Sequence, residues 1–364
     1  MIEADVIIVG GGLSGLAVAD ELTRQGRNWI VLEARDRLAG RIHSAPIEGG
    51  AHRFDLGPTW LWPHNERMLA ACERFGLALF EQHADGNLVF QDETGAVRRD
   101  LAFSTMAGAL RIEGGIATLV DHLVRGLPDE RLRLDHRVHR IHRHDDRIEV
   151  EAVTRGGAVG FSAKAMVLAL PPRIIAETIT FEPALPQGVV AALREVPTWM
   201  AGHAKAIAVF EQPFWRGQGL CGDAISHQGP MMEIHDASPR DGTVGALFGF
   251  IGTSVDARFG RESEMRGAVI EQLVELFGKD AATPTAFFYA DWAGELETAT
   301  QADFQPLAHH PAYGMPPTLN ALWDGALVFA GAEVAEVNGG YLEGALEAAD
   351  AAIVNLVSLE ADAA

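Results

Sequence analysis

The chain has 364 residues, of which 48% are hydrophobic and 22% charged; 50 acidic against 29 basic side chains leave a net charge of −21. That balance argues against nucleic acid or an anionic membrane surface as a partner, and no apolar run is long enough to span a bilayer. Two cysteines, Cys72 and Cys221, form neither a disulfide framework nor a metal pattern. The N-terminus runs straight into a strand, which leaves no room for a signal peptide, so a cytoplasmic location is expected. The length predicts two domains rather than one small core.

Val6 to Val9 reads as a buried parallel strand that ends in glycines at 10, 12 and 15, with a helical pattern from Leu16 to Gln25 and a second apolar strand from Trp29 to Leu32. Gly10 suits a tight turn, Gly12 a close approach of backbone to a pyrophosphate, and Gly15 close packing of helix on strand. Leu13 and Ser14 lie at the helix start, where exposed N–H groups hold phosphate charge. Glu33, closing the second strand, is placed to accept hydrogen bonds from a ribose hydroxyl pair. A dinucleotide is therefore expected.

The next residues, Glu33–Ala34–Arg35 followed after a short spacer by Ala39–Gly40–Arg41, resemble the second half of the FAD signature of the flavin-containing amine oxidase family. That family includes monoamine, polyamine and L-amino-acid oxidases. Its pattern has two glycines before the arginine; Ala39 stands for the first. The resemblance implies that Arg41 pairs with the FAD pyrophosphate, as a bidentate guanidinium can, with Ala34, Arg35 and Gly40 beside it. Phe54 to Trp60 matches the family's strand and turn along the flavin ring, giving Gly57, Pro58, Thr59 and Trp60; Pro58 departs from the usual small residue. One helix, Glu66 to Phe75, and two strands around Leu88–Phe90 and Ala96–Arg98 occupy a segment that is much longer in the family. The shortening implies a more open substrate entrance, or one covered by a second subunit of a homodimer.

Further on, Gly114–Gly115 resembles the start of a helix returning to the FAD domain. Leu134 to Ile141 reads as a strand, with Val138 where the family's backbone holds the adenine. His136, His139, His142 and His144 alternate irregularly among arginines, which favours a solvated strand face over a metal site. Ala165 to Leu170, ending in Pro171–Pro172, matches a crossover between domains. Lys205, on an apolar strand with Ile207 and Val209, resembles the family lysine that contacts flavin N5 through a water; desolvation suits it to oxygen activation or proton exchange. The competing reading is a strand-end lysine whose charge reaches water.

An aromatic cage of two rings aligns the amine in this family. Tyr341 matches one ring. The second is expected about ten residues after Trp292, where this chain has Gln301–Phe304 without tyrosine, leaving Phe304, His309, His310 or Tyr313 to fill the space. No cysteine is present in that stretch, so FAD is expected to be non-covalent. Gly331 and Glu333 end a buried strand, and Gly340, Tyr341 and Leu342 start the last helix. By resemblance Glu333 bonds the ribityl or diphosphate region, while the helix N-terminus steadies the charge of a reduced flavin.

These readings define an α/β protein: a Rossmann-type FAD-binding domain from residues 1–65, 111–185 and 318–364, interleaved with a mixed-sheet substrate domain from 66–110 and 186–317. The implied function is oxidation of a primary or secondary amine to an imine, with oxygen reduced to hydrogen peroxide. The acidic surface suits a cationic substrate. Alternatives are a desaturase or porphyrinogen-oxidase type of reaction, a dehydrogenase with a protein electron acceptor, and a flavin-binding protein without turnover.

Overall fold

In the computed structural model the described residues are 1–363 apart from 51, 306, 308 and 321, with side chains described through Leu359. Five parallel strands form the first sheet, in the order Leu132–Arg133, Trp29–Leu32, Val6–Val9, Ala165–Leu168 and Leu327–Phe329. They are apolar on both sides, as a sheet covered on both faces must be. Val6, Ile8, Trp29, Val31 and Val167 face one core; Ile7, Val9, Ile30, Leu32 and Met166 face another.

Helices Leu13–Arg24, Ala117–Arg125 and Leu342–Ala363 cover the first face. A second five-stranded sheet covers the other, in the order Ile2–Glu3, Gly157–Ala163, Ile148–Thr154, Arg137–Arg143 and Thr180–Glu182, packing through Phe161, Val150 and Ile141. The single strand expected over Leu134–Ile141 is in fact two pieces. Leu132–Arg133 completes the parallel sheet, and Arg137–Arg143 belongs to the second one. Asp135, at φ +56°, turns the chain between them, a conformation aspartate tolerates better than most residues.

Helix Glu66–Arg74, which the sequence groups with the second domain, packs by Met68 and Cys72 into the core of the first. Its N-terminus is capped from a distance. Glu343, on the last helix, accepts from the Arg67 and Met68 N–H groups at 3.0 and 2.9 Å, satisfying two donors the helix cannot satisfy itself.

The third sheet has seven strands in the order Ala286–Asp291, Ala204–Phe210, Gly245–Ile251, Met231–Asp236, Leu220–Ser226, Asn87–Gln91 and Val97–Leu101. All pairings are antiparallel except that of Leu220–Ser226 with Asn87–Gln91. Helix Glu262–Phe277 buries Leu273, Leu276 and Phe277 against its outer face. The inner face, through Ile207, Val209 and Phe248, packs on Phe54 and Leu56, which follow from the first domain. This junction brings the two halves of the chain together. Among the described residues no helix is long and apolar enough to cross a membrane.

Candidate active site

The glycine-rich turn is built by close backbone contacts. Gly10 sits at φ +104°, and a Cβ on Gly15 would lie 2.0 Å from the Gly10 carbonyl oxygen, so helix and strand meet only if residue 15 has no side chain. The helix starts at Leu13 with no side-chain cap, which leaves its first N–H groups for an anion. Ser14 donates its hydroxyl to the Ala330 carbonyl, tying this turn to the end of strand Leu327–Phe329. Glu33 is 4% exposed. Its Oε2 accepts from the Gly11 N–H at 2.7 Å and its Oε1 from the Arg35 N–H at 2.9 Å. Each carboxylate oxygen keeps a further lone pair for a ligand hydroxyl.

The loop after Glu33 folds back over the turn: the Ala39 N–H donates to the Gly11 carbonyl at 2.8 Å, and a Cβ on Gly40 would lie 3.2 Å from the Gly12 Cα. Ala34 is buried. Arg35 is directed elsewhere, donating to Glu295 and to the Thr298 hydroxyl at 2.8 Å, and so joins the loop to the segment behind strand Ala286–Asp291. Arg41 instead points to the end of the parallel sheet, its Nη1 2.6 Å from Glu333 Oε1. Glu333 is fully buried, and neither of its oxygens has a partner aligned as a hydrogen bond. The Arg41 ion pair alone offsets that buried charge, an arrangement that suits a polar ligand completing it. Gly331 is confined as well, since a Cβ there would meet the Leu170 carbonyl at 2.3 Å.

Past strand Arg53–Asp55, residues 56–60 run between the Arg41 loop and the seven-stranded sheet. A Cβ on Gly57 would lie 2.0 Å from the Arg41 carbonyl oxygen, and Trp292 donates its indole N–H to the Leu56 carbonyl at 3.0 Å. Lys205, 2% exposed, reaches this turn from strand Ala204–Phe210. Its Nζ donates to Thr59 Oγ1 at 2.6 Å and to the Gly57 carbonyl at 3.1 Å, and lies 3.9 Å from the Phe248 ring centroid. The solvated strand-end alternative is thereby excluded. Burial pushes its ammonium down to about 7, with Asp55 opposing and Arg111 adding to the shift. Asp55 is itself held above the usual carboxylate range by burial, although the Ser44 hydroxyl and the Ile116 N–H bond it. Pro58 is half-buried between Gly57 and Thr59. Trp60 donates to Gln82 Oε1 at 3.0 Å and packs edge-on against His235.

Tyr341 begins the last helix turn together with Gly340 at φ +78° and Leu342. Its ring is 50% exposed and stacks on His310, with centroids 4.4 Å apart and planes 3° from parallel. His310, not Phe304, faces Tyr341. Phe304 is fixed by its neighbour: Asp303 accepts from the Thr198 N–H and from Arg173, and forms a capping box with Thr300. Trp199 and Tyr313 complete the nest around His310, at centroid distances of 4.9 and 5.3 Å. The Trp199 contribution carries no signal in the sequence.

Val138 is buried and pairs with Ala152. Strand Thr180–Glu182 pairs with this strand only from Arg140 onward, so the ladder on that side stops short of Val138. An uncapped helix start, a buried carboxylate at the end of the second strand, and an arginine held by an otherwise unpartnered acid together fit the adenosine, pyrophosphate and ribityl groups of FAD.

Fold and site thus define a flavoprotein oxidoreductase with FAD as its cofactor. A sequence profile described as flavin containing amine oxidoreductase matches residues 92–353, and one for an NAD(P)-binding Rossmann-like domain matches residues 8–75. The chain belongs to the family of flavin-containing amine oxidoreductases. It is 24% identical to a probable flavin-containing monoamine oxidase A of Dictyostelium discoideum, over 94% of this chain and 95% of that protein. It is also 24% identical to a putrescine oxidase of Kocuria rosea, over 88% and 90%, and 23% identical to an L-amino acid dehydrogenase of Synechocystis, over 98% and 95%. Solved structures with the same fold include a putrescine oxidase bound to putrescine (TM-score 0.81, 20% identity, 98% and 99% covered) and the cyclohexylamine oxidase of Brevibacterium oxydans (0.79, 20%, 98% and 99%).

Proposed function

We propose that this amine oxidoreductase oxidises a primary or secondary amine at the carbon next to nitrogen, with oxygen as final acceptor. Bound FAD supplies a two-electron acceptor for hydrogen lost from that carbon and passes the electrons to oxygen as hydrogen peroxide; the imine takes up water to give a carbonyl and ammonia or an amine. Gly10, Gly12, Leu13, Ser14, Gly15, Gly40 and Arg41 hold the pyrophosphate, Glu33 the ribose, and Val138 the adenine. Glu333, Gly331 and Gly340 lie along the ribityl and ring portion. Residues 1–65, 111–185 and 318–364 form the cofactor side and the rest the substrate side, with helix Glu66–Arg74 joined to the former by its packing.

Lys205 carries the reading. A lysine of lowered pKa beside the Gly57–Thr59 turn holds or releases a proton at Nζ near neutral pH, next to where the ring would lie. Tyr341 aligns the amine with His310 as the opposite wall. At 4.4 Å the stacked rings leave no gap between them, so a substrate reaches the ring when this pair parts. Buried free thiols at Cys72 and Cys221 fit a reducing compartment such as the cytoplasm.

The test is anaerobic flavin absorbance during addition of monoamines, polyamines and amino acids. Bleaching by one class, reversed by air with release of peroxide, is the expected result. Bleaching that air does not reverse would support a dehydrogenase, as the Synechocystis relative is named. A flavin that none of them bleaches would overturn the amine reading.

A further inference from the structure

The turn end of the histidine-bearing hairpin on the second sheet, around His142 and His144, lies at the other end of the strand from Val138. Irregular spacing of its four histidines spoke against a metal, but spacing takes no account of the opposite strand. In the antiparallel register of Arg137–Arg143 with Ile148–Thr154, His142 stands directly opposite Glu149, and on its other side it is in register with Glu182. Cross-strand partners share a face, and so do residues two apart. His142, His144 and Glu149 therefore converge.

One ligand atom from each of these three residues lies within 4.8 Å of the others. The His142 and His144 rings are 4.1 Å apart at their centroids, and His144 Nε2 is 3.2 Å from Glu149 Oε2. A tetrahedral ion with bonds of about 2.1 Å holds its ligands roughly 3.4 Å apart, so side-chain rotation alone closes the set. The backbone beneath is rigid, since the His144 N–H donates to the Arg147 carbonyl at 2.9 Å across the turn. Glu182 Oε2 lies 3.8 Å from His142 Nδ1 and stands behind the ring as an acceptor, the outer support that metal-bound histidines use. Arg140 is engaged by Glu182, which ties down the nearest cation. A recess of about 420 Å³ lined by Arg140, His142, Glu149, Glu151 and Gly160 opens beside the cluster, leaving room for a water at a fourth position.

We propose that His142, His144 and Glu149 form a site for a divalent transition ion, zinc by its taste for two imidazoles and a carboxylate, which clamps the hairpin ends. All three side chains are partly exposed, at 41%, 49% and 35%, so the ion enters without unfolding. The site is separate from flavin chemistry, and its test does not depend on turnover. Untagged, flavin-loaded protein is titrated with zinc chloride against a chromogenic chelator, and its thermal midpoint is followed in parallel. The expected result is one zinc per chain and a midpoint raised by zinc, because an ion that binds only the folded state stabilises it. His142→Ala and His144→Ala should each weaken binding at least about ten-fold, while His227→Ala, on a distant exposed histidine, should leave it unchanged. Glu149→Gln supplies a milder variant of the same prediction. No zinc binding, or binding that survives both histidine substitutions, would overturn the proposal.

Discussion

Replacing Lys205 by methionine should abolish the pH dependence of stability that this residue imposes. Its pKa falls from 10.5 in the unfolded chain to about 7 in the folded one, so between those values the unfolded state binds more protons and stability rises with pH. Integration of that linkage gives a cost of about 4 kcal/mol at pH 7, falling to about 1 kcal/mol at pH 9.5. Methionine removes the whole cost, but it leaves the Thr59 hydroxyl and the Gly57 carbonyl without their donor, a loss of about 1–3 kcal/mol. At pH 7 Lys205→Met should therefore be the more stable protein, by about 1–3 kcal/mol. Near pH 9.5 the order should vanish or invert. Urea unfolding of both proteins, freed of flavin, at several pH values between 7 and 10 reads this directly. Titrating groups that do not interact with Lys205 cancel in the difference; Asp55, which does, moves further up when the lysine charge is removed. Parallel stability curves would refute the argument, because they would mean that Nζ is as well solvated in the fold as outside it.

Glu33→Ala removes the acceptor for two backbone N–H groups. It should lower stability by about 2–4 kcal/mol and leave purified protein short of FAD; full flavin occupancy would count against the ribose role. Ala39 sits at φ +82°, where an L-residue costs about 1–2 kcal/mol and glycine sacrifices only about 0.4–1 kcal/mol of chain entropy. Ala39→Gly should raise the unfolding free energy by up to about 1 kcal/mol. An equal or lower denaturation midpoint would show that the Ala39 methyl packs well enough to offset the strain.

Elements dictated by local backbone demands were legible in the sequence. The strands Val6–Val9 and Trp29–Leu32 lie where apolar runs placed them, and Gly10 and Gly15 between them are glycines because the Ala169 and Gly10 carbonyls leave no room for a Cβ. Helix Glu66–Arg74 stops one residue short of its expected end. Its attachment was hidden, because the Glu343 cap comes from the far end of the chain. Leu134–Ile141 reads as one strand on the strength of Leu134, Val138 and Ile141, although these three do not alternate. The break depends on Asp135 leaving the parallel sheet for the next layer, and no periodicity marks a change of layer.

The candidate site divides along the same line. Lys205 stood out because a lysine inside an apolar strand is costly wherever the strand lies, yet its partners Thr59 and Gly57 emerge only from the docking of one domain on the other. Counting from Trp292 led to Gln301–Phe304 and left Phe304, His309, His310 and Tyr313 open; Asp303 is committed to Arg173, Thr198 and Thr300, which locks that stretch, and of the four it is His310 that stacks on Tyr341. Among the described residues between 305 and 316 there is neither helix nor strand to carry a count. Its course is set by Tyr313, whose hydroxyl bonds the Pro197 carbonyl at 2.8 Å and whose ring fills the space beside Gly339 and Gly340 that any Cβ would need. Those two glycines thus do more than start a helix. They admit the tyrosine that fixes the loop, and the loop in turn sets His310 against Tyr341. The pairing of His310 with Tyr341 thus follows from a packing requirement two steps removed from the motif that announces it.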